Sequence, residues 1–184
     1  MADTTVQEPT RRDFLYLATG AMAAVGTVAV LIPFIAQMNP DASVQALATT
    51  EVDLSAVQAG QSITVLWRGK PVFVRHRTPE EIEAAKSVPV GQLLDPVARN
   101  DNLPANAPAT DENRVIKPEW LIAVGVCTHL GCVPLAYEGD YHGYLCPCHG
   151  SQYDTAGRVR RGPAPENLEI PPYQFATDTT IRIG

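Results

Sequence analysis

The stretch that decides the fold is CTHLGCVPLAYEGDYHGYLCPCHGSQY, residues 127–153. It contains all four cysteines of the chain, and two of the four histidines stand beside them in matching places. Short loops of cysteine and histidine that lie about twenty residues apart are typical of a metal site closed by two loops. The first loop reads Cys127-x-His129-x-x-Cys132, and the second reads Cys146-x-Cys148-His149.

The composition indicates one domain of ordinary size with an addition at its N-terminal side. The chain has 184 residues, a net charge of −6 and an isoelectric point near 5.1. This acidic balance, without a basic patch, argues against nucleic acid as a partner. Four cysteines in two loops suit a metal site or a disulfide, and the redox compartment decides between the two.

An uncharged, mostly apolar segment, residues 14–38, predicts a transmembrane helix. At about 1.5 Å per residue it spans roughly 38 Å, which exceeds the hydrocarbon core of a bilayer, about 30 Å thick. Arg11 and Arg12 precede the span, so residues 1–13 are expected in the cytoplasm and the rest of the chain outside it. We therefore expect a single-pass membrane protein whose head lies outside the cytoplasm; in a bacterium this is an inner-membrane protein with a periplasmic head.

The residues around the arginine pair, Thr10-Arg11-Arg12-Asp13-Phe14-Leu15, are similar to a twin-arginine export signal. Tyr16 stands where such signals usually carry lysine, and the alternative is that the arginines only set the orientation. The string Ala46-Leu47-Ala48 would suit a cleaved signal peptide, but the apolar run is longer than the roughly 15 residues of such a peptide. A retained anchor is the favoured interpretation.

The remainder of the chain is predicted to be a tether and a mainly β head. Residues 39–49 are small and polar, as in a flexible tether, with a helical turn over 44–48 as one option. The head, residues 50–184, begins with two β-branched and aromatic runs, 62–67 and 71–75, that predict a hairpin.

One helix and several further strands complete the predicted head. Thr78-Pro79-Glu80-Glu81 is a capping box with proline at the first helical position, so a helix is expected to run to about Lys86. The pattern as a whole predicts a small antiparallel β barrel or sandwich. Further strands are predicted at 120–126, 144–145, 175–177 and 180–183, with a long irregular loop over 95–118.

Six candidate ligands are too many for one tetrahedral zinc ion. Cys127 and His129 point the same way on an extended chain, and Cys146 and His149 converge in a tight turn, so these four are the expected ligands. The remaining pair, Cys132 and Cys148, would form a disulfide in an oxidising compartment. A Cys₂His₂ zinc site stays open, but one cysteine and one histidine from each loop suit two metals, as in a Rieske [2Fe-2S] cluster.

The two boxes resemble the cluster-binding boxes of the Rieske iron–sulfur subunits of cytochrome bc complexes (ubiquinol–cytochrome c reductase). The resemblance covers nearly the whole chain, including the arginine pair, the anchor and the residues of the tether, and it favours the bacterial members. The matching residues are Cys127-Thr128-His129-Leu130-Gly131-Cys132, Cys146-Pro147-Cys148-His149-Gly150-Ser151, Gln45-Ala46-Leu47-Ala48 and Gly162-Pro163-Ala164-Pro165-Glu166-Asn167-Leu168.

The resemblance implies an electron carrier with one [2Fe-2S] cluster in an inserted subdomain at about residues 124–168. His149 would take the proton of ubiquinol, and His129 would be its exposed companion nearer the c-type cytochrome. Ser151 and Tyr153 would donate hydrogen bonds to cluster sulfurs, with an ST-turn and a packed aromatic as the alternatives. The chain would belong to a dimeric, proton-translocating complex.

Other interpretations remain for single residues and for the whole chain. Leu130 would shield the cluster and dock against the cytochrome b subunit, or it would be a small core contact. The turn 162–165 would cover the third side of the cluster or be merely structural, and His76 and His142 are expected at the surface. Rival functions are the Rieske subunit of arsenite oxidase, a Rieske oxygenase component and a zinc-stabilised, membrane-tethered binding module.

Overall fold

The fold is known from a computed structural model that describes residues 9–39 and 48–184. The chain divides into two compact units, Met1–Gln45 and Ala46–Gly184. The predicted helical turn over 44–48 and most of the predicted tether lie outside the described residues.

Helix α1, Arg11–Ala36, contains most of the predicted anchor and begins three residues before it. The earlier start comes from a capping box: the Asp13 N–H donates to Thr10 Oγ1 at 3.3 Å, and the Thr10 N–H donates to Asp13 Oδ2 at 2.9 Å. No residue of α1 is buried against another part of its unit. At about 1.5 Å per residue the helix is roughly 39 Å long, so it can cross a bilayer.

Residues 48–184 contain one α-helix, α2 Pro79–Lys86, two short 3₁₀ helices, Val90–Gln92 and Glu112–Arg114, and ten short strands. The strands are β1 Thr50–Asp53, β2 Ser62–Trp67, β3 Lys70–His76, β4 Trp120–Val124, β5 Leu135–Ala136, β6 Tyr144–Leu145, β7 Gln152–Tyr153, β8 Val159–Arg161, β9 Tyr173–Phe175 and β10 Thr180–Ile183. They form three antiparallel sheets with the orders β1-β10-β9, β2-β3-β4 and β5-β6-β7-β8.

The prediction of a mainly β, antiparallel head is confirmed; of its two predicted forms, barrel or sandwich, a closed barrel is not found in residues 48–184. A barrel requires one continuous sheet whose first and last strands pair, whereas the head has three separate sheets of three or four strands. The strands of the third sheet are only two or three residues long. That sheet is therefore a small platform, and the two cysteine-containing loops lie at one of its ends.

The first predicted hairpin is present, and its turn explains its register. Trp67 pairs with Lys70 across a two-residue turn, Arg68-Gly69, in which both residues have positive φ, 49° and 75°. A turn with two such residues matches the right-handed twist of the flanking strands. The predicted second strand is extended by one residue at each end, to Lys70 and His76.

Strand β4 lies in the core and leads to the first cysteine-containing loop, which begins at Cys127. All five of its residues are buried, and it pairs with β3. It ends two residues earlier than predicted, and the next residue, Gly125, lies against the Phe73 ring, where a Cβ atom would be 2.5 Å from Cζ. The core includes the two unpaired cysteines among its buried side chains, so the two predicted cysteine ligands are anchored in it.

The segment 95–118 has almost no regular structure, as predicted, but buried arginines fix it in place. Arg77 forms a buried ion pair with Asp111, at 2.6 Å between Nη1 and Oδ1. The guanidinium of Arg114 is fully buried, and burial lowers its pKa to about 9. Because a buried charge is stable only when its donors are satisfied, these bonds hold the segment against residues 156–168. Arg114 donates to the carbonyls of Ala98, Ala156, Gly157 and Leu168.

Strand β1, Thr50–Asp53, is not predicted from the sequence. It pairs with β10, with Thr50 opposite Ile183 and Asp53 opposite Thr180. The predicted closing hairpin is also present, with its first strand two residues earlier than expected, at β9. The sheet of β1, β10 and β9, called the outer sheet below, therefore joins the beginning of the head to its end.

Candidate metal centre

The two cysteine-containing loops, 127–132 and 146–151, have the same backbone hydrogen bonds. In each loop the first N–H donates to the carbonyl five residues later, at 2.7 Å in the first loop and 2.8 Å in the second. In each loop the glycine N–H donates back to the first carbonyl at 2.9 Å. Gly131 and Gly150 take the required positive φ, 80° and 76°. The same turn therefore occurs twice, once in each loop.

This equivalence corrects the predicted match between the histidines. His129 occupies the third position of its loop, whereas His149 occupies the fourth position of the other. The loops are thus equal in backbone but not in ligand position, and the position equivalent to His149 is Leu130. The second loop is itself the connection of a hairpin, because β6 and β7 pair directly on either side of it.

The structure brings the four predicted ligand side chains together in two groups. Cys127 and Cys146 are buried, unpaired thiols, and they lie close enough for a hydrogen bond between them. The rings of His129 and His149 are perpendicular, with 4.8 Å between their centroids. His149 is exposed, whereas His129, expected to be its exposed companion, is half-buried. The sulfur donors face the core, and the imidazole donors face outward.

Cys132 and Cys148 are joined by a disulfide that connects the two loops. The sulfur atoms of Cys132, Cys146 and Cys148 all lie within 4.8 Å of one another. This group of three is not a set of metal ligands, since two of its sulfurs are bonded to each other and cannot act as thiolates. The disulfide leaves one free thiol in each loop.

The buried hydroxyl of Tyr153 donates to Cys127 Sγ at 3.3 Å. Burial acts to raise the pKa of Cys127, but hydrogen bonds from Tyr153 and from the His129 N–H outweigh it, so the thiol pKa lies below its ordinary value. Burial raises the pKa of Cys146 above its ordinary value. Negative charge is therefore better stabilised on Cys127 than on Cys146.

A turn over residues 162–168 lies against both loops. Its Ala164 N–H donates to Ser151 Oγ at 3.1 Å, and Thr128 Oγ1 donates to the Glu166 carbonyl at 2.7 Å. Gly162 has φ 99°, and a Cβ atom there would be 2.5 Å from Ser151 Cα. The bridging role of Thr128 is missing from the sequence prediction, because a threonine between a cysteine and a histidine has no signal of its own.

The tip beside the histidines is apolar and exposed. Leu130 is 70% exposed, so it is not the small core contact that was the alternative interpretation. Val133 and Leu135 add to the same exposed surface. Of the two histidines expected at the surface, only His142 is exposed. His76 is half-buried, with Nδ1 2.8 Å from the Val57 carbonyl oxygen and its ring stacked on Trp120.

The donor set fits a [2Fe-2S] cluster. Two thiols lie together on the buried side, and two imidazoles lie together on the exposed side. A Rieske cluster requires the thiols to lie apart from the imidazoles, because both cysteines bind one iron and both histidines bind the other. Each imidazole also keeps a second ring nitrogen for another partner.

Comparisons with known proteins agree with this class of site. The family model described as "Rieske [2Fe-2S] domain" matches residues 96–173, and "Ubiquitinol-cytochrome C reductase Fe-S subunit TAT signal" matches residues 1–41. A chain of a solved structure, "Hyperthermophilic respiratory Complex III", is 27% identical with a TM-score of 0.50, and the match covers 90% of this chain and 98% of that one. The fold and the site are those of a Rieske iron–sulfur protein with a twin-arginine signal.

Curated relatives are similar over nearly their whole length. The ubiquinol–cytochrome c reductase iron–sulfur subunit of Cereibacter sphaeroides is 56% identical over 95% of both chains. That of Bradyrhizobium diazoefficiens is 54% identical over 98% of both chains. The chain belongs to the family of ubiquinol–cytochrome c reductase iron–sulfur subunits. Its cofactor is a Rieske [2Fe-2S] cluster, and it is a membrane-anchored component of an oxidoreductase complex that contains cytochromes.

Proposed function

We propose that this chain accepts electrons from ubiquinol and passes them to a c-type cytochrome, in respiratory or photosynthetic electron transfer. Its proposed cluster ligands are Cys127 and Cys146 on one iron and His129 and His149 on the other. The observation that carries the proposal is the division of donors, since the thiols are buried and the imidazoles meet at the exposed tip. A quinol binds from outside the head, so the groups that accept its proton have to lie on the exposed side of the cluster site.

His149 is the proposed catalytic residue. When bound, a Rieske cluster supplies a one-electron acceptor of higher potential than an all-cysteine cluster, roughly −150 to +300 mV against about −400 mV. The exposed His149 ring can accept a hydrogen bond from a quinol hydroxyl and hold its proton on the free ring nitrogen. His129 is half-buried and would act as the companion imidazole nearer the cytochrome c-type partner.

The hydroxyls of Ser151 and Tyr153 are proposed to tune the potential. A donor to a sulfur stabilises the more negative, reduced state. A hydrogen bond to a charged group is worth about 1.5–3 kcal/mol, so losing one donor should lower a one-electron midpoint by roughly 60–130 mV. We expect Ser151→Ala and Tyr153→Phe each to lower the midpoint measured by redox titration. Unchanged midpoints in both variants would leave these hydroxyls with structural roles only.

The apolar tip around Leu130 is the proposed docking surface for the cytochrome b subunit. Leu130 is 70% exposed and follows the proposed ligand His129 in the chain, and burying it against a partner would exclude water from the quinol. The family resemblance further implies a dimeric, proton-translocating complex.

The proposed topology places residues 1–13 in the cytoplasm, the anchor 14–38 in the inner membrane and the head, about 50–184, in the periplasm. The arginine pair before the anchor supports this orientation. The subdomain that holds the cluster is proposed at about 124–168. The disulfide between Cys132 and Cys148 supports an oxidising compartment for the head.

Residues 39–49 are proposed as a tether that lets the head move between the quinol site and the cytochrome haem. Inserting several prolines within 41–49 should stiffen this segment and slow quinol–cytochrome c turnover, while the cluster midpoint stays unchanged. Steady-state turnover and redox titration of the same membranes measure the two quantities. Full turnover in the proline variant would refute the moving head.

The function is tested by purifying the chain from its native membrane. Two iron atoms and two acid-labile sulfides per chain, a Rieske-type EPR signal on reduction, and copurifying b- and c-type haems are expected. Zinc without sulfide would instead identify a zinc-stabilised binding module. A Rieske signal without b- and c-type haems would favour another exported oxidoreductase, such as arsenite oxidase.

A further inference from the structure

Asn167, at the end of the turn 162–168, is a buried junction that the proposed function does not use. It is 1% exposed. Its Nδ2 donates to the carbonyls of Asp95 and Val97 at 3.0 and 2.7 Å, and its Oδ1 accepts from the Val159 N–H at 2.8 Å. The side chain therefore ties the turn to strand β8 and to a remote part of the chain.

The aspartate on the other side of this junction strengthens it. Asp95 is 4% exposed, and its Oδ2 accepts from the Asn167 N–H and from Arg99 Nε, both at 3.0 Å. Arg99 Nη2 in turn lies 3.0 Å from Glu166 Oε1. Two neighbouring residues of the turn are thus held by one remote segment, and neither contacts a proposed ligand through these bonds.

The other end of the same turn controls the direction of the Ser151 hydroxyl. The Ala164 N–H donates to Ser151 Oγ at 3.1 Å and so occupies one lone pair of that oxygen. The hydroxyl proton must then point away from Ala164. Ser151 is fully buried, so this proton has no access to bulk solvent. The position of the Ala164 N–H therefore determines the direction in which the Ser151 hydroxyl can donate.

We propose that Asn167 is a positioning residue that sets the cluster potential by holding the turn 162–168 and thereby orienting the Ser151 hydroxyl. Asn167 is uncharged, so its effect on the potential is separable from a change of net charge. This inference rests on the proposed function in one respect, namely that Ser151 donates to a cluster sulfur. Without the Asn167 amide the turn would keep the backbone bond to Asp95 and the bonds of Glu166, but it would lose its three side-chain bonds. Ala164 would then be held less tightly, and the Ser151 proton would be shared among more directions.

The test is a double-mutant cycle on the full chain in its membrane complex, read by redox titration. Asn167→Ala should lower the equilibrium constant for cluster reduction at least threefold, which is a fall of about 28 mV for one electron at 59 mV per tenfold. In a Ser151→Ala background the same substitution should produce no further fall. Asn167→Ser, which loses the same amide, should behave like Asn167→Ala and serves where the alanine variant folds poorly.

Asn100→Ala is the matched control, since Asn100 is also a buried asparagine, 8% exposed, with three side-chain hydrogen bonds. None of these bonds reaches the turn 162–168, so its midpoint should stay unchanged. Hydrogen exchange of the Ala164 amide gives a second readout that does not depend on cluster content. It should be faster in both Asn167 variants and unchanged in Asn100→Ala.

Two results would overturn the inference alone while the role of Ser151 stands. One is a midpoint or an Ala164 exchange rate that Asn167→Ala and Asn167→Ser leave unchanged although Ser151→Ala lowers the midpoint. The other is an equal fall in both backgrounds, because Asn167 would then act by another route. An unchanged midpoint in Ser151→Ala would overturn both the inference and the proposed role of that hydroxyl.

Discussion

A His149→Asn variant is expected to bind the Rieske cluster at least about 100-fold more weakly than the unaltered chain. Replacing a residue that only hydrogen-bonds a metal ligand lowers the metal affinity about 10–100-fold, and replacing the ligand itself should lower it more. The loss should be seen as absent Rieske EPR signal and as iron and acid-labile sulfide contents near zero in the purified complex. Quinol–cytochrome c turnover should disappear with the cluster.

His142→Asn is the matched control for this variant. His142 lies in the same cysteine-rich stretch, is exposed and has a positive φ of 52°, which asparagine tolerates. We expect its iron content, EPR spectrum and turnover to equal those of the unaltered chain. A His149→Asn chain with a full cluster would disprove His149 as a ligand, and cluster loss in both variants would point to a general folding defect.

Removing the disulfide is expected to have the second-largest effect. The bond between Cys132 and Cys148 closes a loop with a sequence separation of 16, which stabilises the folded head by about 3 kcal/mol in the loop-entropy description. For a domain of this size that corresponds to a fall of roughly 10 °C in the unfolding temperature. The Cys132→Ala/Cys148→Ala chain should therefore lose its cluster signal at a lower temperature during heating, as followed by visible circular dichroism.

Chemical reduction provides the control for the disulfide prediction. A thiol reductant should lower the unfolding temperature of the unaltered chain toward that of the double variant, and it should leave the double variant unchanged. Equal unfolding temperatures for the oxidised, unaltered chain and the double variant would mean that the bond contributes no stability. The loops would then be held together by the turn 162–168 and the core alone.

The elements that the sequence predicts well are those whose causes are local. The hairpin at 62–76 has its turn residues in place, and helix α2 carries a complete capping box at Thr78 and Glu81. The anchor follows from length and composition. In each case the physical signal lies within a few residues of the structure that it produces, so one chain suffices to read it.

The site was predictable in composition but less so in geometry. The spacing of the boxes grouped two cysteines with two histidines, and the structure does bring them together. The offset between His129 and His149 within equivalent loops was missed, because spacing alone does not reveal that Gly131 and Gly150 close identical turns. Leu130 then emerges as the counterpart of His149.

What the sequence could not reveal depends on distant contacts. The carbonyls that satisfy Arg114 come from widely separated segments, and no local pattern marks this arginine as buried. Asn167 looks like an ordinary turn residue until Asp95 is found beside it, 72 positions away in the chain. Strand β1 is not predicted for the same reason, since the strand with which it pairs in the described part of the chain, β10, lies at the other end of the head.

The pairing of β1 with β10 determines when the head can complete its fold during synthesis. Thr50 meets Ile183 only after almost the whole head has been synthesised. At translation rates of about 5–20 residues per second this takes roughly 7–27 s, and during that interval β1 lacks its partner. The targeting signal at the N-terminus emerges first, while the outer sheet is completed last. An export route that accepts folded cargo therefore has to wait for translation to finish, and the last proposed cluster ligand, His149, is synthesised only 34 residues before Ile183.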